Sequence, residues 1–118
     1  MISHLEGMAV RTKIWLEKDG KPVFGTGKAG LFRAIMKEGS ISGASKRVHI
    51  SFRRAWSHLD NTERNFGTPL LLKHKGGKGG GSSVLTDEAG ELVKKFERLN
   101  EDVAEYARGR FEELFYAE

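Results

Sequence analysis

Apolar residues first recur at the spacing of an amphipathic helix about a quarter of the way along the chain. Leu31, Ala34 and Ile35 share one face of such a helix. This pattern predicts a helix over about residues 27–38, and the preceding Thr26 is of a residue type that caps helix N-termini.

Alternating apolar and polar residues precede this helix and predict a β-hairpin. Residues 11–18 alternate in the manner of a half-buried strand. Asp19 and Gly20 form a strong turn signal, and residues 22–24 predict a short returning strand. Residues 1–10 carry no such pattern, so we expect a loose N-terminal extension there.

The next part of the chain predicts two helices that are separated by only two residues. Ser40 or Ser42 is expected to cap the first, which ends at about Val48. Ser51 is expected to cap the second, which runs to about Asn65. Two helices joined by so tight a turn predict a helix-turn-helix.

The second of these helices has one apolar face and one polar face. Ala55, Leu59, Thr62 and Phe66 follow a 4-3-4 spacing, which predicts that they face inward. The polar residues that mostly point away from this stripe are Arg53, Arg54, Ser57, Asp60, Asn61 and Arg64.

A strand, a glycine-rich loop and a second strand are predicted directly after the helix-turn-helix. Residues 69–75 and 84–86 have strand patterns, and the sequence GGKGGGSS between them cannot pack a core. This arrangement is typical of a wing. The loop does not fit a nucleotide-binding phosphate loop, because Lys78 is followed by Gly79 rather than by Ser or Thr, and no helix begins there.

A long helix is predicted to begin after Thr86, which can cap it. Its apolar positions start at Ala89 and follow heptad spacing, which is typical of a contact between two helices. We interpret this stripe as a dimer contact; the alternative is packing against the first helix of the same chain. The residues predicted to contact a partner are Leu92, Phe96, Leu99, Val103 and Tyr106.

The charge distribution separates this helix from the rest of the chain. Residues 1–86 hold 15 Lys and Arg against 6 Asp and Glu, a balance of +9. Residues 87–118 hold 5 against 10, a balance of −5, and the net charge is +4. A basic body with an acidic helix indicates a polyanionic partner for the body.

Several classes of protein are excluded or disfavoured by composition. The 118 residues suit one domain, and the absence of cysteine excludes disulfides and thiolate chemistry. The four histidines lack metal-ligand spacing, no nucleophile is paired with a base, and we expect no cofactor and no catalysis. No apolar run could span a membrane, and residues 1–10 lack the apolar core of a signal peptide, so we expect a cytoplasmic protein with no membrane contact.

The second helix of the predicted helix-turn-helix begins with residue types that contact DNA. Arginine pairs in a bidentate way with guanine, and an aromatic edge can contact the methyl group of thymine. A cationic wing adds affinity by following phosphates. The alternative is that these side chains are merely solvated. The residues predicted to contact DNA are Ser51, Phe52, Arg53, Arg54, Ser57, His58, Lys73, Lys75 and Lys78.

With these elements placed, four segments together resemble the N-terminal DNA-binding domain of the ModE family, which is related to the LysR-type winged helix. They read KIWLEKDGKPVFGTGKAGLFRAI, GSISGASKRVHISFRRAW, FGTPLL and KGGKGGGSSVLT, and the match covers about residues 11–107. The resemblance implies that residues 51–57 begin the recognition helix, that residues 75–82 form the wing tip, and that the helix from Asp87 joins two subunits.

The resemblance also implies a role in regulating genes for molybdate uptake or molybdoenzymes. Full-length members bind molybdate in C-terminal domains, whereas this chain ends at Glu118. We therefore expect those domains to be absent. Two alternatives follow: the protein acts without an effector, or a separate chain senses molybdate. The chain also departs from the family in the helix-turn-helix turn, where His49 replaces the usual glycine.

Together these patterns predict a mainly α fold with small β elements, namely a winged helix-turn-helix with a long C-terminal dimerisation helix. The expected parts are an extension over residues 1–10, a DNA-binding domain over 11–86 and a dimerisation helix over 87–118. The predicted function is that of a dimeric, sequence-specific regulator of transcription on double-stranded DNA. The alternatives are a non-specific architectural DNA binder and a winged-helix module that binds an acidic protein.

Overall fold

The computed structural model describes residues 5–74 and 82–116, and the elements within them confirm the predicted fold class. In these two ranges, four helices and two small antiparallel hairpins follow one another. In order they are β1 (Trp15–Lys18), β2 (Lys21–Gly25), α1 (Thr26–Glu38), α2 (Ile41–Arg47), α3 (Phe52–Phe66), β3 (Leu71–His74), β4 (Ser82–Leu85) and α4 (Asp87–Phe115).

The first hairpin has the turn that its sequence predicts. Asp19 and Gly20 both have positive φ angles, 53° and 78°, as a two-residue turn of type I′ requires. Strand β1 begins only at Trp15, four residues later than expected, and Leu16 pairs with Phe24 of β2. The tip is tied to the end of α3, because Lys18 Nζ donates to the carbonyl oxygen of Asn65 at 2.8 Å.

The prediction that Thr26 caps α1 is wrong. Gly25 already holds the extended conformation of an N-cap, with φ −157°, so Thr26 becomes the first helical residue. Since glycine has no side chain, no side chain caps this helix. At the other end Gly39, with φ 75°, takes the left-handed conformation that ends helices.

The helix-turn-helix is confirmed, with its caps. Ser40 rather than Ser42 caps α2, and its Oγ accepts a hydrogen bond from the backbone N–H of Gly43 at 2.9 Å. His49 occupies the left-handed region at φ 61°, a conformation that favours glycine. Ser51 Oγ then caps α3 by accepting from the backbone N–H of Arg54 at 3.1 Å.

The core lies where α1, α3, α4 and β2 meet, and Phe24 is at its centre. The ring of Phe24 lies edge-on to those of Phe32, Phe66 and Phe96, with centroids 5.6, 6.3 and 5.3 Å away. Helix α3 contributes its predicted stripe, since Ala55, Leu59 and Thr62 are buried and Phe66 packs against them in part.

The described part of the wing is a short antiparallel pair in which Leu71 lies opposite Leu85 and His74 opposite Ser82. The predicted first strand starts at Leu71 rather than at residue 69. The residue before it is Leu70. Its N–H donates to Glu63 of α3, and its carbonyl accepts from the backbone N–H of Thr86. The glycine-rich tip lies outside the described residues.

Helix α4 begins as predicted, because Thr86 Oγ1 accepts from the backbone N–H of Ala89 at 3.2 Å. It continues without a break through Gly109. Its buried residues are Ala89, Val93 and Phe96. None of the helices in the described ranges is long and apolar enough to cross a membrane.

The prediction that Phe96 contacts a partner is wrong. The side chain is only 3% exposed and packs on Phe24 inside its own chain. Leu92 is half-buried against the same core. For these first turns of α4 the alternative, packing against α1, is the observed one, and an ion pair between Arg33 and Glu97 reinforces it.

The N-terminal segment is not loose where the structure describes it. Leu5 is 7% exposed, and its carbonyl oxygen accepts a hydrogen bond from the Tyr116 hydroxyl at 3.0 Å. Residues 8–10 line a small hollow with the end of α4, including Phe111. The extension therefore lies along the C-terminal end of this helix.

Candidate nucleic-acid interface

The first turns of α3 present the predicted DNA-contacting residues at the surface. Phe52, Arg53, Arg54 and Ser57 are all exposed, and Phe52 exposes 54% of its surface. Ser51 is exposed as well, but its hydroxyl is engaged in the cap, so its part is to fix where the helix starts. A rigid helix start with outward donors is suited to enter a major groove.

The two arginines of α3 lie on different sides of the helix. With 100° per residue, Arg53 lies almost opposite Ala55, at the centre of the outward face. Arg54 lies on a flank and lines a groove together with His58 of the next turn. Arg53 is therefore placed to reach bases, whereas Arg54 is turned towards the first hairpin.

His58 is half-buried beside two cations. Burial lowers the pKa of His58 below its usual value of 6.5, and the positive charges of Lys28 and Arg54 lower it further. The neutral ring is therefore the form that this surface favours near pH 7. A neutral imidazole can donate one hydrogen bond to a phosphate without adding to the local positive charge.

We expect this shift to make folding stability depend on pH. Below about pH 6.5 the unfolded chain binds a proton at His58 before the folded chain does, so stability falls as the pH drops through the folded pKa. The His58→Gln variant should lose this part of the dependence. Urea unfolding of both proteins at pH 7.5 and 5.5 measures it, and an identical pH response in the two would contradict the expectation.

The predicted wing residues are described only in part. Lys73 and His74 are in β3 and lead towards the tip. Lys75 and Lys78 lie outside the described residues, so their contact with DNA stays a prediction.

The second half of α4 exposes the remaining residues of the predicted dimer contact. Leu99 is 46% exposed and Tyr106 70% exposed, with the half-buried Val103 between them. Large apolar side chains at this spacing on a projecting helix form a stripe that a second helix could cover.

Comparison with known proteins places this architecture in a family. The model of the bacterial regulatory helix-turn-helix proteins of the lysR family matches residues 28–90, which span α1 to the start of α4. The chain belongs to this family. The expectation of a regulatory winged helix-turn-helix is therefore confirmed.

Curated relatives of the chain include proteins of molybdenum metabolism. The transcriptional regulator ModE of Haemophilus influenzae is 36% identical over 69 residues, which are 58% of this chain and 27% of that protein. The molybdenum-pterin-binding protein MopB of Rhodobacter capsulatus is 35% identical over 109 residues, 80% of this chain and 40% of that protein. The chain thus spans less than half the length of either relative.

Solved structures support the same fold. A DNA complex of the CbnR DNA-binding domain superposes with a TM-score of 0.54 at 23% sequence identity, and the match covers 70% of this chain and 91% of that one. At this identity the likeness concerns the fold alone.

Two cations of this lysR-family domain were not predicted from sequence as site residues. Lys13 precedes β1, and Lys28 is in the first turn of α1, but both line the groove that Arg54 and His58 also line. The only sequence signal is the lack of any acidic residue in the first turn of α1, where acids are usually favoured.

Proposed function

We propose that the chain binds double-stranded DNA as a symmetric homodimer and reads a specific sequence to regulate transcription. The observation that carries this proposal is the exposed start of α3, which presents Arg53 and Ser57 on its outward face above a capped helix-turn-helix. Membership of a family of helix-turn-helix regulators supports DNA as the partner.

A dimer would present two recognition helices to successive major grooves about 34 Å apart. In this proposal residues 11–86 contact DNA, and Leu99, Val103 and Tyr106 on α4 join the two copies. The acidic residues of α4 favour a position far from the DNA, since phosphates would repel them.

We further propose that the regulated genes concern molybdate uptake or molybdoenzymes, because relatives carry the names ModE and MopB. A separate molybdate-sensing protein is the proposed source of any response to that anion. The proposal places the protein in the cytoplasm with the DNA and assigns it no catalytic step.

Selection of duplexes from a random pool at near-physiological salt tests the function. An enriched inverted repeat is the expected result, since two identical helices read two half-sites. A bound but unenriched pool would favour an architectural DNA binder. Failure to retain any duplex would favour a module that binds an acidic protein.

Substitution of the outward arginine tests how the sequence is read. We expect Arg53→Ala to cost about 1–3 kcal/mol of discrimination between the selected site and random DNA for each half-site, because each subunit loses one bidentate base contact. Arg64→Ala is the control, because Arg64 lies on the same outward face three turns later and is held by Asp60. Competition binding measures both variants, and an equal loss of discrimination would contradict the assignment.

A further inference from the structure

The groove between the first hairpin and α3 is lined by cations and lies beside the recognition helix. We propose that this groove, here called the hairpin groove, is a second DNA-backbone site that holds the sugar–phosphate chain next to α3. The proposal rests on the proposed function, since it needs α3 to lie in a major groove.

The hairpin groove is lined by both apolar side chains and cations. It has a volume of about 800 Å³ and is open to solvent. Its apolar lining comes from the hairpin, α1 and the helix-turn-helix turn, including Ile14, Val23 and Ile50. The cations on its lining are Lys13, Lys28 and Arg54.

The positive charge of the hairpin groove is not neutralised within the described part of the chain. No Asp or Glu is among the lining residues, and none of the three cations is in an ion pair there. Among residues 5–74 and 82–116, Lys28 Nζ donates one hydrogen bond, a long one of 3.4 Å to the carbonyl oxygen of Val23. Like charges gathered around a partly apolar surface favour the binding of an anion.

The backbone adds to this field. Gly25, Thr26 and Gly27 line the hairpin groove where α1 begins, and the helix carries neither a side-chain cap nor an acid in its first turn. The positive end of the α1 dipole is therefore left uncompensated at the same place as the cations.

Position and chemistry together favour the DNA backbone over a small anion. A helix in the major groove has a phosphate chain on each side, and Arg54 stands on the flank of α3 that faces the hairpin groove. A sugar–phosphate chain would place its deoxyribose carbons against the apolar lining and its phosphates beside the cations. The first hairpin would then contact the DNA backbone on one side of α3, as the wing is predicted to do elsewhere on the DNA.

Neutral substitutions of the two unpredicted lysines test this proposal. Lys13→Gln and Lys28→Gln should each make the salt dependence of DNA binding shallower by about 0.9 in log–log slope per subunit, and so by about 1.8 for the dimer, on both the selected site and random DNA. Between 50 and 200 mM salt, the slope change of the dimer corresponds to about a twelvefold smaller loss of affinity. Lys95→Gln is the control, because it removes the same charge from the exposed surface of α4.

A duplex with single neutral methylphosphonate linkages locates the contact. Wild type should lose affinity at a linkage that flanks the major groove, whereas Lys28→Gln should be insensitive there. The side chain of Lys28 is partly buried, so thermal unfolding checks that Lys28→Gln is stably folded. Lys13 is exposed and precedes β1. Lys13→Gln therefore keeps the test valid if Lys28→Gln is unstable.

The outcomes separate the two proposals. If both lysine variants match Lys95→Gln on every duplex while wild type binds its site, the hairpin groove proposal is overturned and the proposed function stands. The same holds if the variants instead lose binding to an acidic peptide or to inorganic phosphate alone. If wild type binds no duplex, both proposals fail together.

Discussion

The Phe24→Ala variant is expected to lose about 3–5 kcal/mol of unfolding free energy. Phe24 is 2% exposed and contacts the rings of Phe32, Phe66 and Phe96, which belong to three different helices. Truncation would leave a cavity that these rings cannot close without moving the helices. The loss is large against the roughly 5–15 kcal/mol that stabilises a typical domain.

Urea unfolding followed by circular dichroism measures this loss. Phe52→Ala is the matched control, because Phe52 exposes 54% of its surface at the start of α3 and should change stability by no more than about 0.5 kcal/mol. Equal losses in the two variants would mean that the core is not organised around Phe24.

The Leu99→Asn variant is expected to weaken the proposed dimer by about 100-fold. Each of two leucines would lose about 1.5 kcal/mol of apolar burial, and every 1.4 kcal/mol is a factor of ten in Kd. The fold of each subunit should persist, because Leu99 is 46% exposed within its own chain. Binding to paired half-sites should fall with the dimer, since a monomer holds only one.

Sedimentation equilibrium at several concentrations measures this dissociation. Glu101→Asn is the control, because it brings the same asparagine to an exposed position two residues further along α4 and carries a similar helix cost. A monomeric wild type, or a dimer that both variants leave intact, would show that Leu99 does not form the contact.

The sequence predicted the elements whose signals are local. Caps at Ser51 and Thr86 and the turn at Asp19 each involve hydrogen bonds or backbone angles set within a few residues. The one wrong cap, Thr26, failed because Gly25 could take the same role one residue earlier.

The partner of an apolar stripe could not be predicted in the same way. Heptad spacing in α4 indicates that something covers the stripe, and it does not distinguish a second chain from this one. In the structure, Val93 and Phe96 pack into the core of their own chain, whereas Leu99 is exposed. Leu5 was missed for a related reason, because its contact with Tyr116 joins residues 111 positions apart.

The candidate DNA-contacting residues show the same difference between local signals and long-range contacts. Exposure of Arg53 and Ser57 followed from helical spacing alone. The hairpin groove brings Lys13 and Lys28 to Arg54 from three separate parts of the chain, and only the packing of the hairpin on α3 creates that neighbourhood.

The first turns of α4 are fixed in the core, so a small tilt there displaces the far end of the helix by several ångströms. Residues after Phe96 continue for about 28 Å at 1.5 Å per residue, so a tilt of about 10° at Phe96 would move the far end by about 5 Å. That displacement exceeds the roughly 3.4 Å between neighbouring base pairs. In the proposed dimer, the number of base pairs between half-sites is therefore set by the aromatic rings around Phe24, far from any base.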